Sequence, residues 1–171
     1  EEAGVICRVV DLEQADFSDV PQDFDAVFHF AVARATDDDF DKELTSNAEA
    51  TGTLMSYCRN AKAFFHMSSD SIYRETEDPK AIISEDAELG GYSVYAPHYA
   101  MSKLATEGVV RFQARELELP TIIARLDVAY GLHGHGGVPS VLYQYLKHNI
   151  TYNQKDNGES FCCPIHERDI I

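Results

Sequence analysis

The sequence is short of positive charge and has no long apolar run. Its 14 Lys and Arg residues stand against 29 Asp and Glu residues, which gives a net charge of -15 at pH 7. Nucleic-acid backbones are bound by clustered Lys and Arg, so nucleic acid is not an expected partner. The acidic excess is interpreted as a source of solubility. No apolar run approaches the ~20 residues that cross a bilayer, so a membrane is not expected either.

A targeting signal and a disulfide framework are also missing. The opening stretch EEAGVICRVV (1–10) lacks the basic start of a secretory signal. The four cysteines form no C-x-x-C pair, and the adjacent Cys162 and Cys163 would bridge each other poorly. These features favour free thiols in a protein of the reducing cytoplasm.

A zinc site can be drawn from His and Cys residues in the last third of the chain. The candidate ligands are His133, His135, Cys162, Cys163 and His166. They show none of the usual spacings between zinc ligands, so no metal is predicted.

Four short apolar runs and two long helical stretches dominate the pattern. The runs are VICRVV (5–10), AVFHFAVA (26–33), AFFHMSS (63–69) and TIIARLDVAY (121–130). Each is nearly continuous rather than alternating, which is typical of parallel strands covered on both faces. The helical stretches cover 39–60 and 98–118, between the later runs. This alternation predicts an α/β fold with a doubly wound parallel, Rossmann-like sheet.

Each helical stretch has an apolar side at three- and four-residue spacing, which is expected to face the core. In the first stretch this side consists of Leu44, Ala48, Thr51, Met55 and Cys58. In the second it consists of Met101, Leu104, Ala105, Val109, Phe112 and Ala114. Pro120 ends the second helix, because proline cannot continue it.

The segment 70–97 interrupts this rhythm with polar residues, two prolines and a Gly-Gly pair. Long loops in compact domains are usually functional or mobile. In open α/β sheets, ligands bind at the carboxyl ends of the strands. This loop leaves such an end just after Ser68 and Ser69, which marks that edge as the candidate site.

The loop is followed by a pair of residues suited to proton transfer. Tyr99 and Lys103 are four residues apart at the start of the second helix, so they share a face. Free tyrosine has a pKa of about 10, and a nearby ammonium can lower it by ~1–3 units. The topology places the hydroxyl of Ser69 where it could hold a substrate oxygen. The trio predicts proton transfer at a carbinol oxygen while a cofactor exchanges hydride.

The alternative for Tyr99 and Lys103 is a tyrosine packed at a helix start beside a solvated lysine. A second pair with the same spacing, Tyr143 and Lys147, has no Ser-rich strand end before it. We interpret that second pair as surface and core packing.

Short motifs occur in series along nearly the whole chain. They are DL (11–12), DAVFHFAVA (25–33), NAEAT (47–51), MSSDSIY (67–73), YAMSK (99–103) followed by Glu107, RLDVAYG (125–131) and PIHERDI (164–170). In this order they resemble the motifs of the extended short-chain dehydrogenase/reductases, which are NAD(P)-dependent epimerases and dehydratases. The resemblance implies a Rossmann-like fold, NAD or NADP as the cofactor, and a small-molecule substrate such as a sugar or nucleotide sugar.

The resemblance also implies a role for individual residues. Tyr99 would be the general acid/base, and Ser69 would bind the reacting oxygen. Lys103 would hold the nicotinamide ribose and lower the pKa of Tyr99. The adenosine side of the cofactor would be lined by Asp11, Leu12, Phe30, Ala31 and Val32. Because family members commonly dimerise through two helices of each subunit, the stretches 39–60 and 98–118 would form a homodimer interface.

The chain departs from the family where a phosphate-binding loop would stand. Only ten residues precede Asp11, whereas one βαβ unit takes roughly 30 residues or more. The first two strands, that loop and most of the C-terminal substrate region are therefore expected to be missing. The run 5–10 would then lack a neighbour in the sheet. We expect this sequence to be part of a longer chain and to bind dinucleotide poorly by itself.

Two regions follow from this alignment of motifs. Residues 1–131 would form a partial dinucleotide-binding domain, and 132–171 would begin the substrate-binding region. Val128 stands where the family has an asparagine that helps to hold nucleotide sugars, and the acidic Asp127 precedes it. Loss of that amide removes a hydrogen bond worth ~0.5–1.5 kcal/mol. The substrate therefore stays open between a nucleotide sugar, a sugar held differently and a simple carbonyl or hydroxyl compound.

The stretch GLHGHGG (131–137) has the spacing G-x-x-G-x-x-G between an apolar run and a predicted helix. A dinucleotide-binding loop of this kind would need further strands after it, and too little sequence follows. We interpret it instead as the loop that leaves the last central strand toward the substrate region. Its glycines suit turns and a close approach to the cofactor.

Three hypotheses for the function follow. The leading one is an NAD(P)-dependent oxidoreductase or epimerase/dehydratase of the cytoplasm. The alternative is a non-catalytic dinucleotide-binding regulator on the same scaffold, since the fold alone does not separate the two. The presence of Ser69, Tyr99 and Lys103 favours the enzyme. The third is a purely structural protein from a truncated reading frame, which would aggregate or partly unfold when made alone.

Overall fold

The computed structural model describes residues 4–33, 39–78, 80–90, 97–131, 137–152 and 162–170. Its centre is a sheet of three parallel strands in the order β1-β2-β3. The strands are β1 (Ala26–His29), β2 (Ala63–Ser69) and β3 (Thr121–Leu126). Helices connect β1 to β2 and β2 to β3, so the predicted α/β class with a parallel sheet is confirmed.

The middle strand, β2, sets the register of the sheet. Phe65 pairs with Phe28 of β1 and with Ile122 of β3. The pairing ends where Ser69 meets Leu126, at the carboxyl edge of the sheet. Ser69 therefore lies at the predicted position, on the edge from which the loop after β2 departs.

The first helical stretch is continuous but changes its pitch. It consists of α1 (Phe40–Glu43), a π-helical segment (Leu44–Glu49) and α2 (Ala50–Tyr57). The side chain of Asp39 accepts the backbone N–H of Lys42 at 3.0 Å and caps the start of the helix. The predicted inward side is confirmed, since its buried members are Ala48, Thr51, Met55 and Cys58.

The second helical stretch, α3 (Pro97–Glu116), follows its predicted apolar pattern only in part. Leu104, Ala105, Val109 and Ala114 are half-buried, and Ala114 packs against the core. Met101 and Phe112, which were expected to face the core, are 49% and 53% exposed. The buried residues are Ala100, Ser102, Lys103, Thr106, Glu107 and Val110. Polar groups can be buried here because they are paired. The hydroxyl of Thr106, for example, donates to the carbonyl oxygen of Ser102 at 2.7 Å.

The hydrophobic core lies between one face of the sheet and the helices. Its buried members are Met55, Ala61, Phe64, Val110 and Leu119. On the opposite face, Phe28 of β1 and Ile122 of β3 are 64% and 63% exposed. Within the described residues, helices thus cover only one face of the sheet. The continuous apolar runs had predicted that both faces would be covered.

Helices α2 and α3 pack closely against each other at Gly52. A Cβ atom on this residue would lie 2.9 Å from Cγ1 of Val109. Packed carbon atoms are normally about 3.5–4.0 Å apart, so a side chain at position 52 would force the helices apart.

Two of the strand predictions need correction. The run 5–10 forms no strand, and its apolar side chains Val5, Ile6 and Val9 are exposed. A strand needs hydrogen-bonding partners along its edge, and no described strand lies beside this run. The run 26–33 forms a strand only as far as His29, after which the chain leaves the sheet.

The run 121–130 contributes to two different sheets. Its first part is β3, while Ala129–Tyr130 form β4 and pair in parallel with β5 (Ile165–His166). Between them, the carbonyl oxygen of Val128 accepts the N–H of Ile165. Asp127 and Val128 therefore mark the point at which the chain leaves the central sheet.

The last helix is α4 (Gly137–Lys147), which confirms the helix predicted after the glycine-rich stretch. Residues 132–136 lie outside the described part of the chain, so the interpretation of GLHGHGG stays a prediction. The division into 1–131 and 132–171 stays a prediction as well. No helix in the described ranges is long and apolar enough to cross a membrane.

Candidate active site

Ser69 is the last residue of β2 and is buried against the 3₁₀ turn Asp70–Ile72. Its hydroxyl oxygen accepts the backbone N–H of Ser71 at 3.2 Å and the hydroxyl of Ser71 at 2.9 Å. The same hydroxyl donates to the carboxylate of Asp70 at 3.3 Å. The side chain is therefore held in one orientation at the carboxyl edge of the sheet.

Lys103 crosses from α3 to the central strand. Its side chain is 4% exposed, and Nζ donates to the carbonyl oxygen of Met67 at 2.8 Å. Met67 stands two residues before Ser69 on β2. The same Nζ lies 5.9 Å from the centre of the half-buried Tyr99 ring, one helical turn earlier on α3. Lys103 is thus the residue that links the other two members of the predicted trio.

Burial changes the acidity of this ammonium. It lowers the pKa of Lys103 from 10.5 to about 8, and the negative charge of Glu107 acts in the opposite direction. Lys103 therefore stays mostly protonated at pH 7. In general, a protonated lysine close to a tyrosine hydroxyl can stabilise the phenolate form.

Two histidines lie on the strands next to Lys103. His29 and His66 are paired in register across β1 and β2, and their rings stack with centres 5.5 Å apart. Burial lowers the pKa of His29 to about 4 and that of His66 to about 3, with the charge of Lys103 adding to both shifts. Both rings are neutral at pH 7, so they add no positive charge beside the ammonium.

An ion pair connects α3 to β3. Both carboxylate oxygens of Glu107 accept hydrogen bonds from the guanidinium of Arg125, each at 2.9 Å. Arg125 also donates to the hydroxyl of Tyr73 at 2.8 Å and to the carbonyl oxygen of Glu85 at 2.9 Å. The guanidinium thus ties the loop after β2 to the strand and the helix.

Two carboxyl groups meet at the ends of β2 and β3. Partial burial raises the pKa of Asp70 to about 6, and the nearby charge of Asp127 contributes to the increase. Asp127 also accepts the backbone N–H of Cys163, which brings the C-terminal segment to this edge.

Four of the five predicted adenosine contacts surround one cavity of about 230 Å³. Asp11, Leu12, Ala31 and Val32 line it together with Val10, Glu13, Ala33 and Ser46. The fifth, Phe30, is exposed on the open face of the sheet beside Phe28 and Phe65. The carboxylate of Asp11 accepts the N–H groups of Glu13 and Gln14, which fixes the turn on one side of the cavity.

Asn47 holds the other side of this cavity. Its side chain accepts the N–H of Ala33 at 2.8 Å and donates to the carbonyl oxygen of Ala33 at 3.0 Å. It also reaches the hydroxyl of Ser102 at 3.4 Å, next to Lys103 on α3. Asn47 therefore connects the segment after β1 to the helix that carries Tyr99.

The structure adds residues to which the sequence analysis gave no role. His29, His66, Glu107 and Arg125 all lie within quoted motifs, but only their resemblance to a family pattern drew attention to them. The sequence could have indicated them by one feature, an ionisable or polar residue inside an apolar run, such as His66 in AFFHMSS. Their partners are distant in sequence and could not be read from spacing.

Other candidate groups remain outside this site. The second pair lies at the surface of α4, where Tyr143 is 61% exposed and Lys147 Nζ is 6.0 Å from its ring centre. The described residues contain no group of three or more His, Cys, Asp and Glu side chains arranged to hold a metal ion.

A model of the NAD dependent epimerase/dehydratase family matches residues 4–159 of the sequence. The chain therefore belongs to that family, which confirms the resemblance seen in its motifs. Since family members and solved neighbours are NAD dependent or NAD bound, the prediction of NAD or NADP as the cofactor is confirmed to that extent.

Solved structures show the same architecture. UDP-glucuronic acid 4-epimerase from Bacillus cereus, in complex with NAD, is 28% identical with a TM-score of 0.61, over 71% of this chain and 38% of that one. A double mutant of DesIV, a dTDP-glucose 4,6-dehydratase from Streptomyces venezuelae with NAD bound, is 21% identical with a TM-score of 0.80. That match covers 94% of this chain and 50% of the other.

A curated relative has a related description. The trifunctional UDP-glucose 4,6-dehydratase/UDP-4-keto-6-deoxy-D-glucose 3,5-epimerase/UDP-4-keto-L-rhamnose-reductase of Arabidopsis thaliana is 27% identical over 118 residues. The match covers 66% of this chain and 17% of the relative. This chain thus spans half or less of the length of the proteins compared with it here.

Proposed function

We propose that this protein is an NAD(P)-dependent epimerase or dehydratase of nucleotide sugars that works through Ser69, Tyr99 and Lys103. The position of Lys103 carries the proposal. Its buried ammonium lies 5.9 Å from the Tyr99 ring centre and is bonded to β2 two residues before Ser69. A lysine with only a structural role would have little reason to be buried without a carboxylate bonded to it.

The proton-transfer step follows from these positions. In the phenolate form, stabilised by Lys103, Tyr99 accepts the proton of a substrate hydroxyl, and in the reverse direction it returns a proton to the carbonyl oxygen. The hydroxyl of Ser69 donates a hydrogen bond to the same substrate oxygen. To do so, it gives up its 3.3 Å bond to Asp70.

The cofactor fits the adenosine end of the proposed site. The cavity lined by Asp11, Leu12, Ala31 and Val32 offers an acidic side chain and apolar walls, which suit a ribose hydroxyl and an adenine ring. Hydride exchange with the substrate carbon is the chemistry that a nicotinamide supplies when bound. Lys103 has two ammonium hydrogens beyond the one bonded to Met67, and these can bond to a ribose hydroxyl.

Nucleotide sugars are the substrate class that the relatives support, because the similar proteins carry UDP-sugar or dTDP-sugar names. Val128 stands in place of an amide in this chain, so the sugar would be held by other groups than in relatives with asparagine there. Asp70 and Asp127, at the same edge of the sheet, are polar groups available for sugar hydroxyls.

A homodimer in the cytoplasm completes the proposal. The outward side of α3 presents Met101 and Phe112 to solvent, and an apolar stripe on a helix is suited to packing against a second copy. All four cysteines are free, as suits a reducing compartment.

The test compares Tyr99→Phe with Tyr143→Phe in the natural full-length protein. Turnover of UDP- and dTDP-sugars with NAD or NADP is followed by product analysis, and cofactor binding is measured by calorimetry. We expect Tyr99→Phe to retain cofactor binding and lose about 10²–10⁴-fold in kcat, because general acid–base catalysis supplies rate factors of this size. Tyr143→Phe, in the surface pair with the same spacing, keeps full activity.

Full turnover by the Tyr99→Phe variant would contradict the proposed mechanism. Cofactor binding without turnover of any tested sugar by the unmodified protein would favour the non-catalytic regulator instead.

A further inference from the structure

Lys103 carries a charge in a place where charge is costly. Its side chain is 4% exposed, and its bond in the described residues is to a neutral carbonyl group, that of Met67. A buried ammonium tends to lose its proton unless nearby groups favour the charged form. The groups around Lys103 therefore decide whether Tyr99 has a cation beside it.

Charged and titratable groups lie near Lys103 on the elements that pack around it. From the strands come His29 and His66, and from α3 itself come Tyr99 and Glu107. Burial and the charge of Lys103 keep both histidines neutral, with pKa values of about 4 and about 3. Of the carboxyl groups on the packed elements, Glu107 on α3 and Asp70 on the 3₁₀ turn after β2, it is Glu107 whose charge raises the pKa of Lys103.

Glu107 is fixed and ionised. It is 2% exposed and lies one helical turn after Lys103, on the same side of α3. Burial by itself would raise the pKa of Glu107, but the hydrogen bonds and positive charges of Arg125 and Arg111 outweigh that effect and lower it. The carboxylate is therefore present throughout the pH range in which Lys103 titrates.

Arg125 binds this carboxylate, and none of its other hydrogen bonds is directed toward Lys103. The remaining contacts of its guanidinium go to Tyr73 and to the carbonyl oxygen of Glu85, on the loop side. On β3, Arg125 pairs in register with Ser68, directly before Ser69. The ion pair thus stands beside the candidate site and takes no part in it by contact.

We propose that Glu107 is a positioning residue: its buried carboxylate, fixed by Arg125, keeps Lys103 in the ammonium form that Tyr99 requires. The consequence for Tyr99 rests on the proposed function, whereas the effect on Lys103 does not. A positive charge bonded to the carboxylate opposes its effect at a distance, so removal of Glu107 and removal of Arg125 are expected to shift the pKa of Lys103 in opposite directions. If the pair only stabilised the fold, the loss of either partner would shift the pKa of Lys103 in the same direction or not at all.

The experiment measures the pKa of Lys103 directly in the natural full-length protein. Lysine labelled with ¹³C at Cε is incorporated, the Lys103 signal is assigned by its loss in Lys103→Met, and chemical shifts are followed from pH 6 to 11. We expect Glu107→Gln to lower the pKa of Lys103 by about one unit or more, since an opposite charge nearby is worth about 1–3 units. Glu107→Asp, which keeps the charge, restores most of the original value.

Two further variants complete the design. Arg125→Gln is expected to raise the pKa of Lys103 at pH values where Glu107 stays ionised, because the carboxylate then acts without the positive charge of its partner. Arg111→Gln, which removes a cation 3.5 Å from Glu107 that is more than half exposed, is expected to leave it within a few tenths of a unit. An unchanged pKa in a folded Glu107→Gln protein would overturn the proposal. If that variant does not fold, an unchanged pKa of Lys103 in Glu107→Met, which fills similar space without a carboxylate, overturns it equally.

Activity provides a separate measurement. If the proposed function holds, the alkaline limb of the kcat profile moves to lower pH in Glu107→Gln and to higher pH in Arg125→Gln. If the pKa of Lys103 shifts as expected while Tyr99→Phe remains fully active, the proposed function has failed and the role of Glu107 stands.

Discussion

His29 and His66 occupy paired positions on neighbouring strands, and their stacked rings lie 5.5 Å apart inside the protein. His29 Nε2 is 2.9 Å from the hydroxyl oxygen of Thr51, whereas neither ring nitrogen of His66 has a partner among the described residues. Both side chains are buried next to Lys103. Folding therefore requires two neutral imidazoles beside one ammonium.

This arrangement predicts loss of stability in mild acid. The pKa values in the folded protein, about 4 and about 3, lie below the ordinary 6.5, so the unfolded chain binds more protons between pH 3 and 6.5. In this window the free energy of unfolding should decrease as the pH is lowered. Each histidine contributes up to ~1.4 kcal/mol per pH unit to this decrease. Urea denaturation between pH 4.5 and 7 measures it.

His66→Leu should make the pH dependence clearly shallower, because one of the two protonation sites is removed. The matched control, His148→Leu, replaces an exposed histidine after α4 and should leave the slope as it is. Equal slopes in the His66→Leu protein and the unmodified protein would show that His66 is not kept neutral by the fold.

Ser69→Ala tests the hydroxyl at the end of β2. The substrate oxygen would lose one hydrogen-bond donor, and removal of a donor of this kind costs about 10²–10³-fold in kcat. Cofactor affinity should change little, since Ser69 does not line the adenosine cavity. Steady-state kinetics and calorimetry separate the two effects, and a variant with unimpaired kcat would remove Ser69 from the mechanism.

Asn47→Ala should weaken cofactor binding through the shape of the adenosine cavity. The variant leaves the N–H and the carbonyl group of Ala33 without their present partners, at a cost of about 1–3 kcal/mol in stability. Thr53→Ala, on the exposed side of the same helical stretch, is the control. Calorimetric titration with NAD and thermal unfolding are the measurements. Equal affinity for NAD in both variants would mean that Asn47 does not shape the cavity.

Phe112→Glu addresses the outward side of α3. A charge in the centre of an apolar contact is strongly unfavourable, so the variant should be monomeric if α3 packs against a second copy. Tyr143→Glu introduces the same charge at an exposed aromatic position on α4 and should not alter the mass. Sedimentation equilibrium gives both masses. A Phe112→Glu protein that remains dimeric would place the interface elsewhere.

The strand pattern was sufficient to predict where Ser69 lies, because a run of buried residues ends at the point where the polar loop begins. It was not sufficient for VICRVV (5–10). Apolar residues favour a strand, but the strand forms only where a neighbour supplies hydrogen bonds along its edge.

The orientation of α3 shows a different limit of predicting structure from sequence. The apolar pattern predicted an inward face that includes Met101 and Phe112, yet these two residues are exposed, while the buried side of the helix includes Lys103 and Glu107. Those two charges can be buried because Met67 and Arg125 bond to them from β2 and β3. Spacing along one helix carries no information about partners on other elements, so a buried polar face cannot be recognised from periodicity.

The close contact between Gly52 and Val109 has an evolutionary consequence. With 2.9 Å between a hypothetical Cβ at position 52 and a methyl group of Val109, the two positions cannot change independently. Alanine at position 52 would require Val109 to shift or to be replaced by a smaller residue, so a smaller residue at position 109 makes that substitution easier. Relatives that keep this helix pairing should therefore show correlated residue sizes at the two positions.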